Sequence, residues 1–307
     1  MKFTSTKENM LSGINTVQKA ISNKGAIPVL TGIYLKTENN RLTFAATDLE
    51  IGITCTEPVQ VLHFFAEIVR RLPNTNLMFT YDDETVTLKI EYDQAETNIK
   101  CWRGEEFPGI ASLEDGKIFT INPAVFKSLV KQTGFCANIG DPRPIFTGAL
   151  MEVESNNLTM VSTDSHRLAV KTCKVDNLTA ENFKMIVPVK SLNEISRILK
   201  DDNEDVLTIR CNDRQVSFEC KDVRLLSRLV DGIFPNYRQV IPAEYAIMMK
   251  AKKKHLQESI DRASLFVPER DGSSVLRFNL SDGNLNIVSK SEYGMVNENI
   301  PVYTEGG

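Results

Sequence analysis

The stretch NNLTMVSTDSHRLAV, residues 156–170, alternates apolar and polar side chains as far as Thr163 and then becomes polar. A period of two marks a half-buried strand, because successive side chains point to opposite faces. Leu158, Met160 and Ser162 therefore share one face. The same text occurs twice more, as NRLTFAATDLE at 40–50 and GNLNIVSKSEY at 283–293. In register, the inward face reads Leu42, Phe44, Ala46 in the first copy and Leu285, Ile287, Ser289 in the third. The first two copies lie 116 residues apart and the last two 127. A strand face written three times makes this a repeat protein.

Other segments fall into the same frame. AIPVLTGIYLK (26–36) matches PRPIFTGALME (142–152), with Pro28 and Pro144 again 116 apart. FFAEIVRRL (64–72) matches LNEISRIL (192–199), and FPGI (107–110) matches FPNY (234–237), the last pair 127 apart. The change of offset locates an 11-residue shortfall in the first copy, between about Cys55 and His63, where the second copy carries ENFKMIVPVKS. The first copy is thus expected to lack a loop and a strand start, through deletion or through residues absent from this sequence. KKKHLQESIDRASLF (252–266) parallels PAVFKSLVKQTGFC (123–136), and the third copy's strands run to about Tyr303. Earlier copies continue with another helix and several strands, so the third is expected to be half complete, with an unpaired edge.

Each full copy reads as strand, helix and a run of strands, performed twice. Helical spacing is clear in FKSLVKQTGF and LNEISRIL, and Asn122-Pro123 supplies an N-cap followed by proline at the first helical position. Short strands bounded by turn residues, as in DETVTLKIEY and DVLTIRCNDRQVSFEC, fill the remainder. The fold class is α+β, two helices against antiparallel sheet in each copy, with domains at 1–115, 116–243 and 244–307.

The stretch that opens the frame also sets Asp164, Ser165 and His166 in a row. A hydrolytic triad needs nucleophile, base and acid to converge. Neighbours on a strand point apart, and a turn at Asp164 does not supply the missing convergence. The other histidines lack a catalytic setting, since His63 lies in an apolar-rich segment and His255 follows three lysines. No catalytic residue is assigned.

Composition narrows the classes further. A chain of 307 residues exceeds one ordinary core, and 42% hydrophobic with 25% charged residues is that of a soluble globular protein. The opening MKFTSTKENML has no apolar signal region, and no run approaches the roughly 18 apolar residues of a membrane span. Six cysteines (55, 101, 136, 173, 211 and 220) are scattered without a CxxC pair, which predicts reduced thiols in a cytoplasm and neither metal nor cofactor. Neither GxGxxG nor GxxxxGK[ST] is present.

Charge is sorted by element. The helical windows 7–20, 63–72, 123–134, 188–200 and 252–263 hold 13 Lys and Arg against 5 Asp and Glu. The rest of the chain holds 23 against 35, although the whole carries a net charge of only −4. Lysine favours exposed helix positions in any protein, but glutamate is as good a helix former and is scarce here. A basic helical face and an acidic back follow. That face has no aromatic interleaving and no recognition-helix motif, so it suits phosphate contact without base reading.

The opening MKFT, the IPVLTG and RPIFTG pair, ATDLE, STDSHRLAV and LVDGIFPNYRQVIP together resemble the bacterial DNA polymerase III beta subunit family, the sliding clamps. The likeness runs along essentially the whole chain, apart from the shortened segment near 55–63 and the second half of the third domain. It implies a head-to-tail homodimer of three similar domains per chain, a ring with helices inside and sheets outside. Such a ring encircles duplex DNA without regard to sequence and tethers the polymerase. The resemblance also implies a peptide pocket for the DNA polymerase III alpha subunit, the clamp loader and other proteins bearing a clamp-binding motif. Its matching positions are Phe146, Thr163, Ser165, His166, Arg167, Leu168, Pro235 and Val240. Ser165 stands where glycine also occurs in the family, and the pocket's other wall belongs to a C-terminal tail that this sequence lacks. Lys24 and Arg143 match positions of DNA contact, and Ile99 with Leu265 and Phe266 match the two faces of the dimer contact. Within such a pocket Asp164 would hold the turn through its side chain. Residues alone also leave room for an enzyme, or for a repeat-built protein-interaction scaffold without DNA encirclement.

Overall fold

Two of the helices start where a short polar side chain offers the free backbone N–H groups an acceptor. Thr6 accepts from Asn9 N at 3.3 Å to open helix α1 (Lys7–Val17), which follows strand β1 (Lys2–Thr6). Asn122 accepts from Ala124 N and Val125 N at 2.9 and 3.3 Å, with Pro123 first in the helix, as the Asn-Pro pair predicts. The computed structural model describes residues 2–21, 27–38, 41–57, 63–179, 181–200, 205–267 and 276–306.

The first copy continues through β2 (Tyr34–Glu38), β3 (Arg41–Thr47), β4 (Ile51–Glu57), helix α2 (His63–Arg71), β5 (Asn76–Asp82), β6 (Thr87–Tyr92) and β7 (Ala95–Lys100). The second runs β8 (Lys117–Ile121), α3 (Pro123–Thr133), β9 (Gly148–Glu154), β10 (Asn157–Thr163), β11 (Leu168–Lys174) and β12 (Asp176–Asn177). It goes on with β13 (Phe183–Pro188), α4 (Val189–Ile198), β14 (Leu207–Cys211), β15 (Gln215–Cys220) and β16 (Val223–Arg228). The third holds β17 (Met248–Lys250), α5 (Lys253–Ser264), β18 (Arg277–Ser281), β19 (Asn284–Ser291), β20 (Gly294–Pro301) and β21 (Tyr303–Glu305). All paired strands are antiparallel, and no helix among the described residues is long and apolar enough to cross a membrane.

The written repeat is a structural one down to the ladder. Tyr34 faces Ala45 in the first copy, Leu150 faces Val161 in the second, and Arg277 faces Val288 in the third, each at the matching position. The next ladder agrees, with Leu42 opposite Glu57, Leu158 opposite Cys173 and Leu285 opposite Ile300. The predicted inward faces are all buried. Gly13 on α1 lets the Phe44 ring lie where a Cβ would otherwise sit, so helix and sheet meet closely. The offset of 127 does not hold through the later hairpins. Phe79 matches Ile209, 130 apart, because in register the link from α4 to β14 is three residues longer than that from α2 to β5. Ile90 matches Phe218, 128 apart, because the β5–β6 turn is two residues longer than the β14–β15 turn.

Two compact units result, residues 1–235 and 236–307. In the first, the sheets run β1-β5-β6-β7, β11-β10-β9-β13 and an eight-stranded β12-β8-β14-β15-β16-β4-β3-β2. The long sheet joins the first two copies through β16 and β4, and one apolar core runs from Met10 on α1 to Leu225 on β16. The second unit pairs β17 with β21 and orders β18-β19-β20, with α5 on a small core of Ala263, Leu285, Ile287 and Ile300. Between β4 and α2 no strand is described that corresponds to β13, in keeping with the shortfall read near 55–63. β2 therefore ends its sheet, whereas β9 lies between β10 and β13.

Candidate functional site

Beyond Thr163 the backbone leaves β10 and returns as β11, with Thr163 and Leu168 facing each other across the turn. Thr163 Oγ1 accepts from Ser165 N at 3.1 Å, and Asp164 Oδ1 accepts from His166 N and Arg167 N, both at 3.0 Å. Asp164 Oδ2 also takes the Arg167 Nε at 2.9 Å. The carboxylate thus holds the turn, as an Asx side chain does. The two amides, and then the guanidinium, keep its pKa below the usual carboxylate range. Ser165 adopts φ 78°, a left-handed conformation that favours glycine.

His166 and Arg167 are exposed at the tip and Leu168 is half-buried behind them. Ser165 and His166 are exposed neighbours whose backbones follow the turn, and neither side chain has a described hydrogen bond to the other. The loop rests on a short 3₁₀ turn at 134–136. The Arg167 guanidinium lies 5.7 Å from the Phe135 ring, and burial raises the Cys136 thiol pKa beneath it. Asn138 N donates to Phe146 O at 2.9 Å, so the same segment ties down Phe146, which is buried. Pro235 is exposed at the end of the first unit, and Val240, 68% exposed, belongs to the second. Sequence reading missed the supporting 134–138 segment. Its only signal was the run GFCANIG directly after a helix.

Of the two positions that the resemblance reads as DNA contacts, Lys24 lies outside the described residues. Arg143 is exposed, stacks 4.2 Å from the Phe146 ring, and grips Asp141 through Nε at 2.9 Å and Nη2 at 3.0 Å. That fork pulls the Asp141 pKa down to about 2. The Asp-Pro-Arg spacing could have signalled the pair. Among the helix cations, Lys7 donates to Leu72 O at 2.6 Å and Lys127 to Leu199 O at 3.2 Å, each closing the end of the neighbouring helix. Arg70 pairs with Glu67 on α2, and Arg197 with Glu194 on α4, at matching positions of the repeat. Lys19, Lys131 and Lys200 are exposed.

Of the positions that the resemblance reads as dimer contacts, Ile99 lies on a sheet edge, and Leu265 and Phe266 follow α5. Ile99 is half-buried on β7, the last strand of its sheet. Leu265 is 79% exposed after α5, and the Phe266 ring packs at Gly294, where a Cβ would lie only 2.7 Å from it. Gly294 opens β20, the last strand of the three-stranded sheet.

Inside the first unit, the joint of the two copies shows how such edges meet. Ile51 faces Ser227 and Cys55 faces Val223, while Arg228 N donates to Glu50 O at 3.0 Å. Lys190 reaches Asp48 at 3.0 Å, and the buried Ser191 and Ser227 hydroxyls share a 2.7 Å hydrogen bond. Ile110 of the connecting segment packs on Gly52.

Comparison with known proteins agrees with this architecture. Residues 1–111 match the model of the DNA polymerase III beta subunit N-terminal domain, and residues 120–236 match its central domain. The chain is 32% identical over 286 residues to the beta sliding clamp of Bacillus subtilis, covering 88% of this chain and 75% of that protein. It is 30% identical over 322 residues to the beta sliding clamp of Halalkalibacterium halodurans, covering 98% and 84%. The crystal structure of the Bacillus subtilis DNA polymerase sliding clamp superposes with a TM-score of 0.92 at 31% identity, over 100% of this chain and 85% of that one.

Proposed function

This chain belongs to the bacterial DNA polymerase III beta subunit family, and on that premise we propose that two copies join head to tail into a ring around duplex DNA. The protein is a sliding clamp, a non-catalytic processivity factor of replication. The ring reading divides the chain into domains 1–115, 116–243 and 244–307 and sets it in the cytoplasm.

The joint between the first two copies is the observation that carries the ring. There β16 lies beside β4 with Val223 opposite Cys55 and Ser227 opposite Ile51. The repeat presents the same two edges again as β7 and β20. Transferring the register residue by residue sets Ala95 opposite Glu298, and Ile99 opposite Gly294, of a second copy. Phe266 packs at Gly294, so Ile99 would meet it there, with the exposed Leu265 beside them. A contact between unlike surfaces gives a ring when its rotation closes.

DNA would be held by topology and by phosphate contacts from helix cations, Lys24 and Arg143, the last exchanging Asp141 for a phosphate. Such contacts weaken with salt and carry no sequence preference. The turn at 163–168, with Phe146 and Pro235 of the same unit, would take peptides of the polymerase alpha subunit and the clamp loader through apolar anchors.

A chain carrying Thr97→Cys and Val296→Cys tests the arrangement, because these positions face each other only across the transferred joint. Oxidation should give a covalent dimer whose linking peptide joins the two cysteines by mass. The dimer should stay on circular DNA and leave linear DNA with free ends. A monomer by light scattering at micromolar concentration, with no cross-link, would overturn the ring.

A further inference from the structure

We propose that the first copy carries a second docking site, a cavity beside β2 that takes an extended, largely apolar peptide segment of a partner protein. The second copy shows what covers this face. There β13 pairs with residues 148–153, running antiparallel to β9. The matching ladders make residues 32–37 the counterpart of that footprint. A cavity of about 440 Å³ opens along the first copy, and all six of those residues line it.

The opposite wall corresponds as well. In the second copy Val230 N donates to Ile186 O of β13 at 2.9 Å. The bonds from Leu229 N to Arg214 O and from Cys101 N to Val86 O are matching rungs, so Trp102 stands where Val230 does. Trp102 lines the cavity and is 42% exposed. The cavity therefore has both walls of a strand-shaped footprint, and the occupant seen in the sister copy is an extended chain, Phe183–Pro188.

Its chemistry selects the occupant. Tyr34 and Phe107 stack at 4.9 Å along one side and the buried Leu88 lies on another. Of the charged residues lining it, Arg103 pairs with Asp83 at 3.3 Å and Lys36 with Glu38 at 2.6 Å, and Glu105 has no described ion pair. An aromatic lining with most of its charges paired and one carboxylate left over favours apolar side chains with at most a single basic one, and its volume falls in the roughly 300–1,000 Å³ range of ligand sites. An extended segment alongside a strand reads its side chains alternately, which suits a peptide better than a compact ligand. The site lies in the first copy, whereas the turn at 163–168 belongs to the second. It requires no ring.

Trp102 is the one tryptophan of the chain, so its emission reports the cavity directly. The probe is the acetylated and amidated peptide FKMIVP, the sequence of β13, titrated into the full chain. A saturable blue shift is expected, and a polar analogue, FKNSTP, should produce none. Tyr34→Ala should weaken the interaction at least ten-fold with an unchanged circular dichroism spectrum. Gly104→Leu, which adds a side chain next to the Tyr34 ring, should block it from the exposed side even if Tyr34→Ala proves unstable. No saturable shift, or equal binding by Gly104→Leu, would overturn the proposal. So would a shift that grows with protein concentration alone, since the occupant would then be a second copy.

Discussion

The turns at 47–52 and 163–168 are the same object put to different uses. In both, a threonine hydroxyl accepts from the residue two ahead, Leu49 N at 3.0 Å or Ser165 N at 3.1 Å. In both, the next aspartate accepts from the two amides that close the turn, those of Glu50 and Ile51 or of His166 and Arg167. Leu49 and Ser165 share a left-handed backbone, at φ 74° and 78°. The surroundings differ. Asp48 spends its second oxygen on Lys190 of the next copy, and Asp164 spends its own on Arg167 three residues on. Gly52 admits Ile110, whereas the same place in the second copy is Leu168, half-buried. A repeated backbone thus becomes an internal joint in one copy and a presented surface in the other. The residue after the turn, and what reaches it, make the difference.

Exchanging that residue should break the comparison most visibly. Gly52→Leu would drive a side chain into Ile110, whose nearest atom is already 3.0 Å from the Cβ position. Overpacking of this kind costs about 1–3 kcal/mol, read as a lower melting temperature. The reverse change, Leu168→Gly, should weaken peptide binding and lower melting only through the lost half-buried side chain and the freedom of glycine in a strand, with no overpacking. Equal melting of Gly52→Leu and the parent would show that the first turn is no tight joint.

A somewhat smaller effect separates presented surface from joint by binding alone. Replacing His166 and Leu168 together by alanine should weaken a polymerase-derived peptide by roughly ten-fold, about 1.4 kcal/mol. Glu50→Ala, at the position of His166 in the first copy, should not change that titration. If both variants bind like the parent, the 163–168 turn is not where peptides dock.

Acidity sharpens the account of the turn itself. The Asp164 carboxyl sits below its ordinary value of 3.8, first because the His166 and Arg167 amides donate to it and then because of the Arg167 guanidinium. A depressed folded pKa contributes stability that is present above the unfolded value and lost as pH falls through the folded one. The turn should therefore stay closed from neutral pH to 3.8 and open only below it. Carboxyl carbon shifts of Asp164 would give a midpoint under 3.8, and Arg167→Ala should move it upward. A midpoint at or above 3.8 in the parent would contradict the hydrogen bonding described.

The smallest effect concerns the shared backbone. Left-handed geometry costs a non-glycine residue about 1–2 kcal/mol, partly offset by the extra freedom glycine brings to the unfolded chain. Leu49→Gly and Ser165→Gly should each stabilise by a few tenths to about 1 kcal/mol, the leucine change by more, because a bulky residue is the worse fit there. Denaturant midpoints would show it, and destabilisation in both would mean that the left-handed turns are not strained.

What the sequence determined by itself is periodic or local. Alternation put Leu42, Phe44 and Ala46, and their counterparts twice over, on one buried face, because a strand's side chains have a fixed period of two. Asn122-Pro123 announced a helix start and Asp164 a turn, since both act through backbone groups two or three residues away. The changed offset near 55–63 announced that the first copy has no counterpart of β13 in the described residues. Tertiary structure alone decided the pairing of β16 with β4, the grip of Lys190 on Asp48 and the approach of Ile110 to Gly52. It also set the 134–138 segment under Arg167 and brought Trp102 to the cavity beside β2. These contacts join residues far apart in the chain, and no local propensity encodes which distant edge a strand will meet. That choice comes from burying the faces of both copies in one core, which is a property of the assembled sheets.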